Sequence, residues 1–267
     1  MPDFIDQTGR KASLRQLPRK IISLVPSQTE LLADLGLDEE VVGITKFCIH
    51  PKEWLHQKIR VGGTKQLKLD IIRQLNPDLV IANKEENVKE QVEAIEKEFP
   101  VWVSDINNLE DAYEMIGQIG AITNREQQAQ VLISTIRGEF ARLISTNPGN
   151  LLSAVYLIWQ KPYMTIGGDT FINAMMKEAG FYNLFSNEKR YPEITIAQIQ
   201  EWNPSLLLLS SEPFPFSEKH IDSLQPLLPN TRMLLVDGEM FSWYGSRLRL
   251  APAYFKTLNS YIGNRES

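Results

Sequence analysis

One short pattern occurs twice in this chain, and it limits the folds open to it. Residues 69–83 read LDIIRQLNPDLVIAN and residues 196–210 read IAQIQEWNPSLLLLS. Each copy is a short apolar-periodic segment, then Asn-Pro, then an apolar run closed by a small polar residue. Asn76-Pro77 and Asn203-Pro204 hold the same place in the two copies. Asparagine tolerates the left-handed backbone that ends a helix, and proline forbids the helix from continuing. The run after each proline is too short for a membrane span and suits a strand buried on both faces. A helix, a stop and a buried strand thus occur once in each half, which predicts two similar α/β lobes. A crevice between two lobes is a common place for a ligand.

The totals remove several classes of function. A chain of 267 residues, 43% hydrophobic and 23% charged, has the composition of a globular protein with one large or two ordinary domains. Its net charge of −5 and its lack of a dense Lys/Arg cluster exclude a nucleic-acid binder. The longest apolar runs, Leu151–Trp159 and Ser205–Ser210, are strand-sized, so no membrane insertion is expected. Cys48 is the one cysteine, which rules out an internal disulfide. The opening MPDFIDQTGRKASL has no apolar signal region or cleavage site. With Met1 as the native start the expectation is a cytoplasmic protein, whereas a trimmed start leaves export open.

Along the chain, strands and helices alternate at the spacing of parallel sheet with crossovers. The first strand is Lys20–Val25. Ser27 and Glu30 have capping-box spacing before a helix that ends at Gly36. Strands follow at Val41–Ile44, Leu79–Ala82 and Val101–Val103, with helices at Ile71–Leu75 and Asn87–Phe99. A further helix opens at Asn108 and carries Leu109, Ala112, Ile116 and Ile119. Thr123 and Glu126 then form a second capping box for the most regular helix, with Leu132, Ile136, Phe140 and Leu143 on one stripe. The breaker cluster Asn147-Pro148-Gly149-Asn150 stops it. The expected division is an N-terminal α/β lobe over 1–122, a connecting helix over 123–147 and a C-terminal α/β lobe over 148–267. The second lobe restarts with the strand Ser153–Trp159, then a helix Thr170–Ala179, the second repeat and a strand Met233–Val236. An aromatic loop, DGEMFSWYGS at 237–246, precedes a terminal helix Arg247–Ile262.

Chemistry-bearing residues fall just after the predicted strands, where ligands bind in open α/β sheets. They include Phe47, Cys48, His50, Trp159, Tyr163, Phe241, Trp243, Tyr244 and Arg247. Cys48 and His50 could supply two soft metal ligands, but C-x-H alone is a weak signal, and a core thiol beside a loop histidine is the stronger reading. A Cys-His nucleophile pair is weaker still, because the two are too close in sequence to face each other. The glycine pairs at 62–63 and 167–168 match no phosphate-binding pattern, and no nucleophile elbow occurs. Four large side chains in the 240–244 loop suggest stacking on a flat ligand. Arg247 suits either an anionic group or a surface ion pair.

RKIISLVPSQTELLADLGL at 19–37, VVGITKFCIHP at 41–51, GGTKQLKLDIIRQLNPDLVIA at 62–82, Asp6–Arg10 and Gly245-Ser246-Arg247 match one family in order and spacing. The chain resembles the substrate-binding proteins of cobalamin and iron-siderophore ABC importers, most of all the vitamin B12-binding members. The resemblance implies two Rossmann-like lobes with parallel-rich sheets joined by one long helix, as in class III periplasmic binding proteins. It implies a non-catalytic receptor, monomeric, with no covalently bound cofactor and a cleft ligand: a corrinoid, a haem or another metal chelate. Matching cleft positions are Phe47, Lys65, Asn83, Trp159, Tyr163, Tyr191 and the loop Glu239–Arg247, with Phe241, Trp243 and Tyr244. Lys65 and Asn83 stand where the B12 binder has tryptophans, and Glu239 stands for an aspartate. The family is periplasmic or lipid-anchored outside the membrane and docks its permease through one acidic residue on each lobe. Asp70 matches on the first lobe. On the second lobe the place is taken by Ala197, with Glu193 and Glu201 nearby.

Overall fold

The computed structural model describes residues 3–14, 16–146 and 151–263. It separates into two compact units. The first holds residues 1–106, 110–135 and 244–247, and the second holds 107–109, 136–243 and 248–267. The long helix Glu126–Thr146 therefore contributes to both. The breaker cluster at 147–150 lies outside the described residues.

The first unit is built on a five-stranded, wholly parallel sheet. Its spatial order is Ile59–Arg60, Val41–Ile44, Ile21–Ser23, Leu79–Asn83, Val101–Ser104. The chain starts in the middle, winds outward to one edge, then crosses back and winds to the other. The turning point lies between Ile21–Ser23 and Leu79–Asn83, the place where strand order reverses and loops splay apart. The second unit repeats the scheme with four parallel strands in the order Phe181–Asn183, Leu152–Leu157, Leu206–Ser210, Arg232–Val236. Its reversal falls between Leu152–Leu157 and Leu206–Ser210.

The two Asn-Pro units behave as their chemistry dictates. Helix Leu69–Leu75 ends at Asn76 (φ 48°, ψ 66°) and helix Ile196–Trp202 at Asn203 (φ 45°, ψ 60°), both left-handed. The strands that follow, Leu79–Asn83 and Leu206–Ser210, are buried at every position. Helices cover both faces of a parallel sheet, which suits strands buried on both sides. The stripe Leu132, Ile136, Phe140 and Leu143 on the long helix is buried as well.

Two expected capping boxes do not form. The first helix starts earlier, at Pro26, with Val25 as its N-cap and no side-chain cap. Proline at the first helical position is preset for the helix and gives up no needed donor. Glu30 is therefore released to pair elsewhere. Thr123 donates back to the carbonyl of Ile119 at 2.7 Å and so closes the preceding helix, Leu109–Ile122, instead of opening the next. A true capping box does occur before the second repeat, where Thr195 and Gln198 exchange hydrogen bonds. The aromatic loop contains a short helix, Glu239–Ser242, and the terminal helix starts at Ala251 after a 3-10 turn over Ser246–Arg249. Small elements without strong periodicity escape the sequence: the antiparallel ribbons Asp3–Ile5 with Lys11–Ser13 and Tyr163–Met164 with Glu193–Ile194, and the helix Glu218–Leu224.

Candidate functional site

In each unit the loops at the carboxyl ends of the parallel strands form a rim. In the first unit that rim is a closed polar network. Asn83 donates from Nδ2 to Ser104 Oγ at 2.9 Å, and its Oδ1 accepts from the backbone N–H of Glu85 and Glu86. Gln28 Nε2 donates to the same Ser104 Oγ at 2.5 Å. Asn87 accepts from Asn83 N–H and donates to the carbonyls of Leu24 and Thr64. Asn83, read from sequence as a ligand contact, is buried and spends its amide on shaping the 84–87 turn. Three buried atoms of this unit, Ser27 Oγ, Gln28 Oε1 and Ser246 Oγ, have no protein hydrogen-bond partner.

Outward from that network stand exposed groups. Phe47 is 50% exposed, with Lys46 Nζ 4.9 Å from its ring centre. Gly63 lies under the ring, where a Cβ would sit 3.1 Å from Phe47 Cε2. Lys65 is exposed and donates to the carbonyl of Glu85 at 2.6 Å. Tyr244 and Arg247, expected to face a ligand, belong to this unit and are committed to protein partners. Tyr244 is buried and donates to Glu86 Oε1 at 2.8 Å, while Arg247 makes a two-pronged ion pair with Glu30. Arg247 is thus held in an ion pair, but a mostly buried one and not the surface pair that the sequence offered as an alternative.

Cys48 is corrected as a metal ligand or nucleophile. It is fully buried, Thr29 donates to its Sγ at 3.0 Å, and Thr45 Oγ1 lies 3.1 Å from the same atom. Burial penalises the thiolate and pushes the thiol pKa up to about 11. His50 is half-buried two residues on. Among the described residues no group of three or more His, Cys, Asp or Glu side chains is placed to hold a metal ion.

The rim of the second unit is aromatic and acidic. Trp159 follows the strand Leu152–Leu157 and is 40% exposed. Its backbone bridges Met164, and its ring meets Phe214 edge-on at 5.7 Å. Phe214 in turn packs on Phe216 and His220, so the exposed indole stands on a stack of rings. Tyr163 is half-buried and accepts from Gln160 Nε2 at 3.2 Å. Tyr191 carries the Arg190 guanidinium 5.6 Å from its centroid. Phe241 is corrected: it is fully buried between Tyr156, Tyr254 and Phe255 and belongs to the core. Trp243 is also buried, and its Nε1 donates to Glu212 Oε1 at 2.9 Å. Glu239 is half-buried at the start of the short helix, its N–H bonded to Asp237 Oδ1. Glu212 and Phe214 were missed from sequence. The available signal was their position directly after the second repeat, where 84–87 stands after the first.

The expected docking carboxylates are at the surface. Asp70 lies in the first turn of Leu69–Leu75, highly exposed, with Arg73 Nη1 3.0 Å away. Glu193 and Ala197 are exposed, before and on the helix Ile196–Trp202. No helix among the described residues is long and apolar enough to cross a membrane.

The profile of the family described as periplasmic binding protein matches residues 21–226. The chain belongs to this family. This binding protein is 28% identical over 195 residues to the vitamin B12-binding protein of Vibrio parahaemolyticus serotype O3:K6, spanning 72% of this chain and 70% of that one. It is 27% identical over 215 residues to the uncharacterized ABC transporter substrate-binding lipoprotein YvrC of Bacillus subtilis strain 168, spanning 76% and 67%. A crystal structure of a possible iron-binding (periplasmic solute-binding) protein from Staphylococcus epidermidis superposes with a TM-score of 0.77 at 25% identity, covering 92% of this chain and 99% of that one. The two-unit α/β fold with parallel sheets is the fold of that relative.

Proposed function

We propose that this binding protein is a non-catalytic receptor for a cobalamin-like corrinoid, working in uptake or delivery. The observation that carries the reading is Trp159, a large apolar ring kept 40% exposed at the carboxyl rim of its sheet and braced from behind by Phe214. Exposed aromatics held on a rigid rim suit a flat, bulky ligand. Phe47 offers a second such face on the first unit, with Lys46 4.9 Å from its ring centre, and Lys65 is a further exposed cation of that unit that can meet polar substituents. Tyr163, Tyr191 and Glu239 complete the set of proposed contacts. The kinship with a vitamin B12-binding protein favours the corrinoid over other chelates. A haem or ferric-siderophore ligand is the second reading, favoured by the relative described as possibly iron-binding.

Kinship with an ABC transporter lipoprotein supports delivery to a permease outside the cytoplasmic membrane. On this reading Asp70 supplies the first docking carboxylate and Glu193 takes over where Ala197 leaves the second position without charge. Incubation with cyanocobalamin or haemin, followed by desalting and a visible spectrum, tests the ligand class. Corrinoid absorbance co-eluting with the protein is expected. Failure of both chromophores to co-elute would overturn the reading.

A further inference from the structure

Glu212 sits where strand order reverses in the second unit, two residues beyond the strand Leu206–Ser210. Its geometry is set from two sides. Oε1 accepts from Ser242 Oγ at 2.6 Å and from Trp243 Nε1 at 2.9 Å. Gly238 makes room for its stem, since a Cβ there would stand 2.5 Å from Glu212 Cγ and from Ser210 Oγ. One carboxylate oxygen is thus fixed, and among the described residues no group donates a hydrogen bond to the other, Oε2. Two residues further on, Phe214 supports the exposed Trp159. A fixed acceptor at the carboxyl rim of the sheet, two residues from the ring that meets an exposed indole, suits a donor on a bound ligand.

The electrostatic setting narrows that donor. Burial raises the pKa of Glu212, and the neighbouring charges of Glu239 and Asp237 raise it further. The rim already resists one negative charge, so a ligand carboxylate placed there adds another. An amide N–H adds none and satisfies Oε2.

Resting on the corrinoid reading above, we propose that Glu212 is a specificity-determining residue whose Oε2 accepts from a peripheral amide of the ligand and selects against ligands bearing carboxylates at that edge. Trp243 is a positioning residue for it, acting through the Nε1–Oε1 hydrogen bond.

The test compares two corrinoids with the same ring: dicyanocobinamide, whose periphery carries amides, and dicyanocobyrinic acid, whose periphery carries carboxylates. Calorimetric titration of the wild type is expected to favour the amide form by about tenfold or more, the scale of one charge-assisted hydrogen bond against a like-charge contact. Glu212→Gln removes the charge at constant shape and is expected to shrink that preference several-fold, chiefly by tightening the carboxylate form. Trp243→Phe is expected to shrink it in the same direction, with thermal unfolding run alongside each variant to confirm a folded state. Equal wild-type affinities for the two forms, or a ratio unmoved by Glu212→Gln in a folded protein, would overturn the inference while leaving corrinoid binding intact. Failure of the wild type to bind cyanocobalamin as well as both analogues would instead remove the underlying reading.

Discussion

Arg247 grips Glu30 across 217 residues of sequence, with Nε 2.8 Å from Oε2 and Nη2 2.7 Å from Oε1. The side chains are only 10% and 14% exposed. Parallel bonds of this kind are the strongest ion-pair geometry, and losing one partner strands the other charge away from water. Glu30→Gln is therefore expected to destabilise the protein by roughly 1–3 kcal/mol, the range for an unpaired, mostly buried charge after allowance for the residual solvent. Urea unfolding measures it. An unchanged midpoint would show that the pair is only a surface contact.

The paired helix stops make a second prediction. A non-glycine residue in the left-handed region costs about 1 kcal/mol or more, less for asparagine than for other side chains. Asn76→Ala and Asn203→Ala should each destabilise by about 1 kcal/mol, while the glycine variants should be neutral or slightly stabilising. Equal effects of alanine and glycine would mean that backbone conformation is not what asparagine supplies.

Two aromatics of the same initial promise should separate cleanly. Phe241→Ala empties a core site lined by Tyr156, Tyr254 and Phe255 and should cost about 3–5 kcal/mol. Trp159→Ala removes a ring already 40% exposed and should cost less than about 1 kcal/mol of stability while weakening ligand binding. Reversal of this order in thermal unfolding would mean that burial assigns the two rings wrongly.

The buried thiol gives a pH signature. Cys48 ionises near 11 in the folded protein against an ordinary value of 9.0. Its folded pKa is the higher of the two, so its contribution is fully present below about 9 and is lost as pH rises from 9 towards 11. Native protein should react negligibly with a thiol reagent at pH 7 to 8 and readily once unfolded. Rapid labelling of the native state at neutral pH would contradict the buried assignment.

Much of the architecture was legible because it follows from strong local rules. Asn-Pro followed by an unbroken apolar run admits few structures, and both copies became a left-handed stop and a fully buried strand. The capping boxes at Ser27 and Thr123 misled because spacing alone cannot show where a hydroxyl or carboxylate finds its partner. Glu30 is claimed by Arg247 and Thr123 by its own preceding turn. The candidate site was harder to read for the same reason. Phe241, Trp243 and Tyr244 looked like a ligand-facing cluster, yet each is drawn inward by partners that are distant in sequence: Phe255, Glu212 and Glu86. Conversely, Phe214 was unremarked because nothing in its neighbourhood of prolines marks it as the support for Trp159.

The most direct test of the receptor reading is isothermal titration of the purified protein with cyanocobalamin, for the wild type and Trp159→Ala. The account predicts wild-type binding in the micromolar range or tighter, and a loss of roughly tenfold in the variant, about what one exposed stacking ring contributes. No detectable binding by the wild type up to about millimolar ligand would contradict it.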